Sequence, residues 1–231
     1  MQIIESSVIG VRSAVFSLEC DDDGLRFTLF PMIHVGEPAF YEDVERRLEN
    51  CDVILCEGVK SPTVSLLTLS YRFFAPNERL GLVLQSVMKL EQLHDRVVHA
   101  DVSGDAFERR WSKLPFLWRH ALPLIAPAYG LYLRYFGTRA LLARHCAFSY
   151  RKTAEEVLEG EDIRAVKGVL LGWRDRHLIG VIDQLRAKHR GTGAHIGVVY
   201  GAGHMRAVIR HLVRDCRYRI AGSEWVKVFG V

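Results

Sequence analysis

Residues 196–212, IGVVYGAGHMRAVIRHL, decide the fold of this 231-residue chain. They begin with an apolar, β-branched run that is typical of a buried strand, and they end with the apolar periodicity of an amphipathic helix. Gly201, Gly203 and His204 lie in the turn between the two. The pattern predicts a strand–turn–helix unit with His204 at the carboxyl end of a strand, the edge where open α/β sheets bind ligands. For His204 taken alone, a capping role is the alternative.

The composition is that of an ordinary globular protein. With 231 residues, of which 49% are hydrophobic and 25% charged, the chain predicts one large domain over residues 1–231 with a substantial core. The net charge of +4 arises from basic residues scattered beside acidic ones, which disfavours a nucleic-acid partner. Five cysteines without a C-x-x-C spacing disfavour a disulfide framework or a zinc knuckle. No signal peptide is visible at the start, so we expect a cytoplasmic protein.

Two β-rich runs, residues 8–19 and 25–34, are joined by Asp21-Asp22-Asp23-Gly24. An Asp-Gly pair between such runs predicts a hairpin. Residues 38–49 have the periodicity of a helix, and residues 52–58 are typical of a short buried strand. This β–α–β crossover therefore predicts parallel strands.

Further strands are predicted at residues 96–103 and 219–229. Together with the strand before His204 they give an α/β fold, a mixed, mainly parallel central sheet flanked by helices. Residues 61–95 are expected to be helical and largely apolar. Between the third strand and the strand before His204, residues 105–190 contain no convincing strand and predict a mainly helical insertion.

Within the insertion, helices are predicted at residues 153–158 and 163–189, the second broken near Gly172. Residues 121–133 are uncharged and apolar but too short for a bilayer span. We expect a buried helix pair or a lid over a substrate pocket. The alternatives are peripheral contact of residues 111–137 with a membrane, and a homodimer interface.

Titratable side chains follow the predicted strands one after another. They are His34, Glu57, His99, Asp101 and His204. Because the carboxyl ends of parallel strands meet at one edge of a sheet, we expect these side chains to converge. Each of them separately could instead satisfy a loop carbonyl or cap the next turn.

Histidine and carboxylate together suit two kinds of hydrolytic site. They can hold a divalent transition metal with an open position for water, which the metal then activates. A His–carboxylate pair can also act as a general base without metal. The chain has no H-E-x-x-H, G-x-S-x-G or P-loop pattern. Cys51 and Cys56 lie in or beside apolar strand positions, which favours buried structural thiols over nucleophiles.

These residues resemble the motifs of the TraB/PrgY–Tiki superfamily of metal-dependent peptidases, related in fold to erythromycin esterase and ChaN-type haem-binding proteins. Gly201-Ala202-Gly203-His204 matches the second G-x-x-H of that family, and Glu57 matches its glutamate at a strand end. Arg174-Asp175 matches the Arg-Asp pair on a late helix, and Asp101 the aspartate after the third strand. The first G-x-x-H corresponds to Pro31-Met32-Ile33-His34, which keeps the histidine and has proline in place of glycine.

The resemblance spans residues 25–229 and implies a metal-dependent hydrolase, most directly a peptidase, with Mn, Co or Zn as cofactor. It implies that His34, Glu57 and His204 hold the metal or act on water. It also implies that Arg174 clamps a developing oxyanion or a substrate carboxylate.

The same resemblance implies a peptide or small acyl substrate, with Asp101, Asp175 and Tyr200 on its binding side. Two other functions are compatible with the residues. One is a non-catalytic module that binds haem or another apolar ligand in the same pocket, and the other is an esterase-like hydrolase without metal.

Overall fold

A computed structural model describes residues 2–73, 78–150 and 161–231. The strands of this part of the chain are β1 (Ile4–Ser7), β2 (Gly10–Glu19), β3 (Arg26–Met32), β4 (Val35–Gly36), β5 (Val53–Cys56), β6 (Val83–Leu84), β7 (Val97–His99), β8 (His195–Gly201) and β9 (Arg219–Gly230). Its α-helices are α1 (Pro38–Leu48), α2 (Pro62–Arg72), α3 (Gly104–Trp111), α4 (Phe116–Phe136), α5 (Arg139–Tyr150), α6 (Glu161–Lys167), α7 (Trp173–His189) and α8 (Met205–Arg210).

Seven strands form one mixed sheet in the order β1-β2-β3-β8-β5-β7, with β9 paired to β2. Strands β3, β8, β5 and β7 are parallel to one another, and β1, β2 and β9 add antiparallel pairs at the other side. The predicted α/β fold with a mixed, mainly parallel sheet is confirmed. The predicted hairpin is also confirmed, since β2 pairs with β3 through contacts such as Phe16 opposite Leu29.

Strand β8 lies at the centre of the parallel half, between β3 and β5. Its apolar side chains, Ile196, Val198 and Val199, are at most 1% exposed, because helices cover both faces of a parallel sheet. The turn after β8 leads to His204, the residue that precedes α8. Residues 196–212 therefore contain the strand, β8, against which β3 and β5 are aligned.

The prediction of a helix over residues 61–95 is wrong beyond α2. After Arg72 the described chain continues as short 3₁₀ turns and the two-residue strand β6, which pairs with β4. Gly81 has a φ of +59°, a left-handed conformation that interrupts a helix. The third strand, predicted at 96–103, is limited to β7, and β1 lies before the first predicted run.

The predicted helical insertion is confirmed within the described residues, 104–150 and 161–189, which contain α3 to α7. The helix predicted at 153–158 lies outside the described residues. The predicted break near Gly172 is a π-helical turn, Gly168–Gly172, between α6 and α7. In the described part of the chain no helix is both long and apolar enough to cross a bilayer.

Helix α4 packs on α2 but is less buried than expected. Its Gly130 and Leu133 are buried, whereas Phe116 and Leu124 are both 74% exposed. The expectation of a buried helix pair is therefore wrong for the outer face of α4, because in the described part of the chain only one side of this apolar helix is buried.

Candidate functional site

A cleft of about 610 Å³ lies at the carboxyl edge of the parallel strands. His34, Glu57 and Arg174 lie together in its lining, with Gln85 and Tyr71 beside His34. Three other polar side chains also line the cleft: Thr68, Arg72 and Ser86. Much of the remaining wall is apolar: Val59, Val64, Leu67, Leu84, Met88, Leu90, Phe107 and Leu170. An apolar pocket with few convergent polar groups is the usual form of a small-molecule site.

Glu57 follows β5 and is held at both carboxylate oxygens. Its Oε2 accepts a hydrogen bond from the backbone N–H of Gly201 at 2.6 Å, and its Oε1 accepts one from Arg174 Nη2 at 2.5 Å. A Cβ at position 201 would lie 2.9 Å from Glu57 Oε2, so glycine is needed there for the carboxylate to reach the backbone. This contact explains the first glycine of the GAGH turn.

Arg174, near the start of α7, joins Glu57 to a second buried carboxylate. Its Nε and Nη2 donate to the two oxygens of Asp101 at 3.0 and 2.5 Å, and its Nη1 donates to the Leu170 carbonyl at 3.2 Å. Since arginine has five N–H donors, these bonds leave only one Nη1 hydrogen for a substrate. The geometry thus favours a positioning role for Arg174 over the predicted oxyanion clamp.

Asp101 does not cap α3, which is the role of Ser103. Its side chain is only 1% exposed and accepts hydrogen bonds from the backbone N–H groups of Val102 and Gly58. These bonds end β7 and fix the carboxylate that receives Arg174.

His204 is 3% exposed and lies behind Glu57. Its Nδ1 is 2.6 Å from Asp175 Oδ1, and its Nε2 is 3.7 Å from Glu57 Oε1. The carboxylate of Asp175 fixes the ring with Nε2 toward Glu57. The side chain of His204 makes no capping hydrogen bond to α8, so the capping alternative does not describe it.

The charges of this network set the ionisation of its carboxyl groups. Burial alone would raise the pKa of Glu57, but the charge of Arg174 above all, with the electrostatic effect of His204 and His34, holds it below its ordinary value. The pKa of Asp101 is also lowered, because its hydrogen bonds and ion pair with Arg174 outweigh its burial. Both carboxyl groups are therefore ionised at neutral pH.

His34 lies two residues past β3, exposed at the mouth of the cleft. Its ring stacks on Tyr71 with centroids 4.8 Å apart, and its Nδ1 is 3.1 Å from Gln85 Oε1. Because an amide oxygen only accepts, this contact requires the hydrogen on Nδ1, and in the neutral ring Nε2 is then the nitrogen that can act as a base. Burial and the charge of Glu57 raise the pKa of Tyr71 to about 12, so its hydroxyl stays neutral.

The structure brings most of the predicted residues to one edge, but in two layers. His34, Glu57 and Arg174 line the cleft, whereas His99 is exposed and is not among its lining residues. Tyr200 is fully buried and donates to the Ala100 carbonyl, so a direct substrate contact by Tyr200 does not agree with the structure. Asp101, Asp175 and His204 do not line the cleft. Asp101 holds the lining residue Arg174, whereas Asp175 holds His204, which lies behind Glu57.

The predicted metal ligands are not arranged as a metal centre. Among the described residues, three ligand atoms lie within 4.8 Å of one another only in a different group, Asp183, His211 and Cys216, which could hold a metal ion. Both oxygens of Glu57 already accept strong hydrogen bonds, and Arg174 places a cation beside it. His34, Glu57 and His204 as placed do not fit a shared metal ion, and their assignment as ligands stays a prediction.

Sequence reasoning missed Tyr71 and Gln85, because neither follows a predicted strand. It also missed the cluster of Asp183, His211 and Cys216. The only local sign of this cluster in the sequence is a histidine and a cysteine five residues apart. The prediction of buried thiols is confirmed, since Cys51 and Cys56 are free and buried. Burial raises the pKa of Cys51 to about 11 and of Cys56 to about 12, which excludes reactive thiolates there at neutral pH.

Fold and site together define an α/β protein with a half-apolar cleft at the carboxyl edge of its sheet and a buried ionic network at one end. No protein-family model, curated protein or solved structure matches this chain.

Proposed function

We propose that the chain is a hydrolase that acts on a peptide or another acyl compound with an apolar part. The observation that carries the proposal is the position of His34 beside the Glu57–Arg174 pair at one end of the apolar cleft. The cleft would bind the apolar part of the substrate, which leaves the acyl group near His34.

His34 is the general base of the proposed reaction. Its Nε2 accepts a proton from water as the water oxygen bonds to the acyl carbon, and the resulting imidazolium then protonates the leaving amine or alcohol. The Nδ1–H bond to Gln85 and the stack on Tyr71 orient the ring. General-base catalysis of this kind contributes about 10²- to 10⁴-fold in rate.

Glu57 stabilises the imidazolium rather than removing a proton itself. A carboxylate with a lowered pKa and two occupied oxygens is a weak base. Its negative charge attracts the positive form of His34, as the buried aspartate does in a catalytic triad. The His204–Asp175 pair holds Glu57 from the other side.

We also propose membership of the TraB/PrgY–Tiki superfamily. What supports it is that Glu57, Arg174 and His204, from motifs far apart in the sequence, contact one another. The family implies Mn, Co or Zn, but the three ligand residues do not fit that role as placed. The proposed reaction therefore uses no metal, and hydrolysis that a chelator abolishes would contradict this part of the proposal.

Replacement of His34 tests the function. We expect His34→Ala to lower kcat for the hydrolysis of a p-nitrophenyl acyl ester or a peptide at least ~10²-fold. The thermal unfolding midpoint should stay the same, because His34 is exposed. The matched control is His177→Ala, an exposed histidine on α7 outside the cleft, which should retain full activity. Equal activity of the two variants would contradict the role of His34.

A second candidate function is the binding of haem or another apolar ligand without catalysis. The apolar cleft wall and the exposed imidazole of His34 at its mouth favour it. Titration with haemin distinguishes the two: a Soret shift that is lost in His34→Ala, without hydrolysis of any ester, would support the binding module.

The outer face of α4 is proposed to contact an anionic membrane surface. Residues 116–136 contain no Asp or Glu and include Arg119, His120 and Arg134. A helix with exposed apolar and aromatic side chains and only positive charge is suited to the interface of anionic lipids.

A further inference from the structure

At the amino edge of the parallel strands, opposite the cleft, a second cluster of reactive side chains joins two elements. Asp183 lies on α7, and His211 and Cys216 lie at the start and just after the end of the π-helical turn His211–Asp215. The cluster adjoins the β2–β3 turn, where the Cys20 thiol is 3.8 Å from the Cys216 carbonyl. A pocket of about 350 Å³ opens beside it.

We propose that Asp183, His211 and Cys216 bind a transition metal ion of the zinc type. Asp183 Oδ1 is 2.8 Å from His211 Nε2, Cys216 Sγ is 3.3 Å from His211 Nε2, and Cys216 Sγ is 3.9 Å from Asp183 Oδ1. Tetrahedral zinc with its usual S, N and O bond lengths separates such atoms by about 3.3–3.6 Å. Shifts of about 0.5 Å therefore convert the present cluster into a three-ligand site, with water in the fourth position.

The π-helical turn is what brings His211 and Cys216 together. Five residues apart in a regular α-helix, two side chains point about 140° away from each other. The wider turn, closed by the Cys216 N–H to His211 carbonyl bond at 3.1 Å, places both on the same side. Single π turns are frequent at functional sites for this reason.

The surroundings of His211 are those of a metal ligand. Its Nδ1 is 3.0 Å from Asp215 Oδ2, so Nε2, which faces Asp183 Oδ1 and Cys216 Sγ, is the nitrogen for the proposed ion. A carboxylate behind a ligating histidine is the usual arrangement. Asp183 and Cys216 line the pocket, which offers a path for the ion and room for the water.

Arg186 contacts two of the three proposed ligands. Its Nη1 is 2.9 Å from Cys216 Sγ and 3.4 Å from Asp183 Oδ1. The same guanidinium holds Asp23 at 3.1 Å, so it retains a partner when the metal takes the thiolate. Metal binding then removes a proton from the Cys216 thiol and releases it to solvent.

Co²⁺ is a suitable probe, because its absorption spectrum shows whether the Cys216 thiolate binds the metal. We expect Co²⁺ added to the metal-free full chain at equimolar ratio to produce the near-ultraviolet charge-transfer band of a sulfur–cobalt bond. Excess Zn²⁺ should displace it, and Zn²⁺ should raise the melting temperature by mass action. The band should vanish in Cys216→Ala. In Asp183→Asn, a conservative change of a side chain that is 46% exposed, the apparent affinity for Co²⁺ should fall at least tenfold, and an unchanged melting temperature of the metal-free variant should show that it folds.

Two control variants make the test specific to this cluster. Cys146→Ala removes a cysteine of α5 and should keep the band, as should His34→Ala, which alters only the cleft. A band that is absent from the wild type, or that persists in Cys216→Ala, would overturn the proposal. Loss of the band in His34→Ala would place the metal in the cleft and overturn it as well.

Discussion

Arg174 holds two buried carboxylates with one guanidinium, and this makes it the residue on which the candidate site depends most. We expect Arg174→Met, which keeps the bulk and removes the charge, to lower the free energy of unfolding by about 3–5 kcal/mol. The reason is that Glu57 and Asp101 then remain buried without a counter-charge. Urea denaturation at pH 7 measures the difference.

The matched control is Arg176→Met, an exposed arginine two residues further along α7. It should change stability by no more than about 0.5 kcal/mol, as surface substitutions usually do. Equal effects of the two variants would show that the buried ion pairs do not hold the site together.

Acid should weaken the wild type through the same two carboxyl groups. The folded-state pKa values of Glu57 and Asp101 lie below their ordinary values of 4.5 and 3.8. Groups with a lowered folded pKa contribute full stability above the unfolded pKa and lose it as the pH falls through the folded pKa. The stability that these two groups give the wild type should therefore be constant from pH 7 to about 5 and fall below about pH 4, and the gap to Arg174→Met should have shrunk at that acidic end. If the difference in unfolding free energy between the wild type and Arg174→Met persists at pH 2 to 3, lost packing rather than lost charge pairing is its cause.

At the scale of elements, the cleft depends on how closely α4 approaches α2. Helix α2 lines the cleft through Val64, Leu67 and Tyr71 but contains no buried residue of its own. A Cβ at Gly130 of α4 would lie 2.4 Å from the Ser70 carbonyl oxygen. We expect Gly130→Ala to cost about 1–3 kcal/mol, because it forces the helices apart. It should also raise KM through the displaced α2 wall.

Gly180→Ala is the control for Gly130→Ala, since it adds the same methyl group to helix α7 with nothing within 4 Å. It should leave stability unchanged or increase it by up to about 1 kcal/mol, because alanine favours the helix. Thermal melts of both variants measure the contrast. If Gly130→Ala is as stable as Gly180→Ala, the α2–α4 contact is not tight in solution.

The sequence predicted those elements whose signal is local. Strand β8 and its turn follow from an apolar β-branched run and two glycines, and Glu57, Asp101 and His204 follow from their position after strands. The two-residue strand β6 has no periodicity to detect. Its partner β4 and the 3₁₀ turns near it depend on contacts made by the whole fold.

The candidate site was predictable in the same uneven way. Its inner layer consists of charged residues at strand ends, and the family motif added Arg174 and Asp175. Its outer layer, Tyr71 and Gln85, is brought to His34 by packing between distant segments, which no local pattern encodes. In the π-helical turn that joins His211 to Cys216, the hydrogen-bonded turn contains one residue more than in an α-helix. The spacing of apolar residues in the sequence does not reveal so small a difference.

At the scale of the whole molecule, the two edges of the sheet separate two kinds of chemistry. The cleft at the carboxyl edge contains His34, the proposed general base, and the ionic network, and the amino edge contains the proposed metal cluster. The exposed face of α4 belongs to neither of these two sites. Helix α4 packs on α2, and α2 forms part of the cleft wall. A membrane contact through α4 would thus bring the cleft near the source of an apolar substrate.

Vesicle binding tests that contact. We expect the chain to co-sediment with vesicles of phosphatidylcholine and phosphatidylserine, and much less with phosphatidylcholine alone, because the face of α4 is apolar and basic. The double variant Leu124→Glu/Ile125→Glu alters side chains that are 74% and 58% exposed, so it should fold normally and stay in the supernatant. The control Val8→Glu/Ile9→Glu changes another adjacent apolar pair, 91% and 73% exposed, and should pellet like the wild type. Failure of the wild type to pellet would remove the membrane proposal, and a wild-type dimer that the α4 variant dissociates in analytical ultracentrifugation would assign this face to a second copy of the chain.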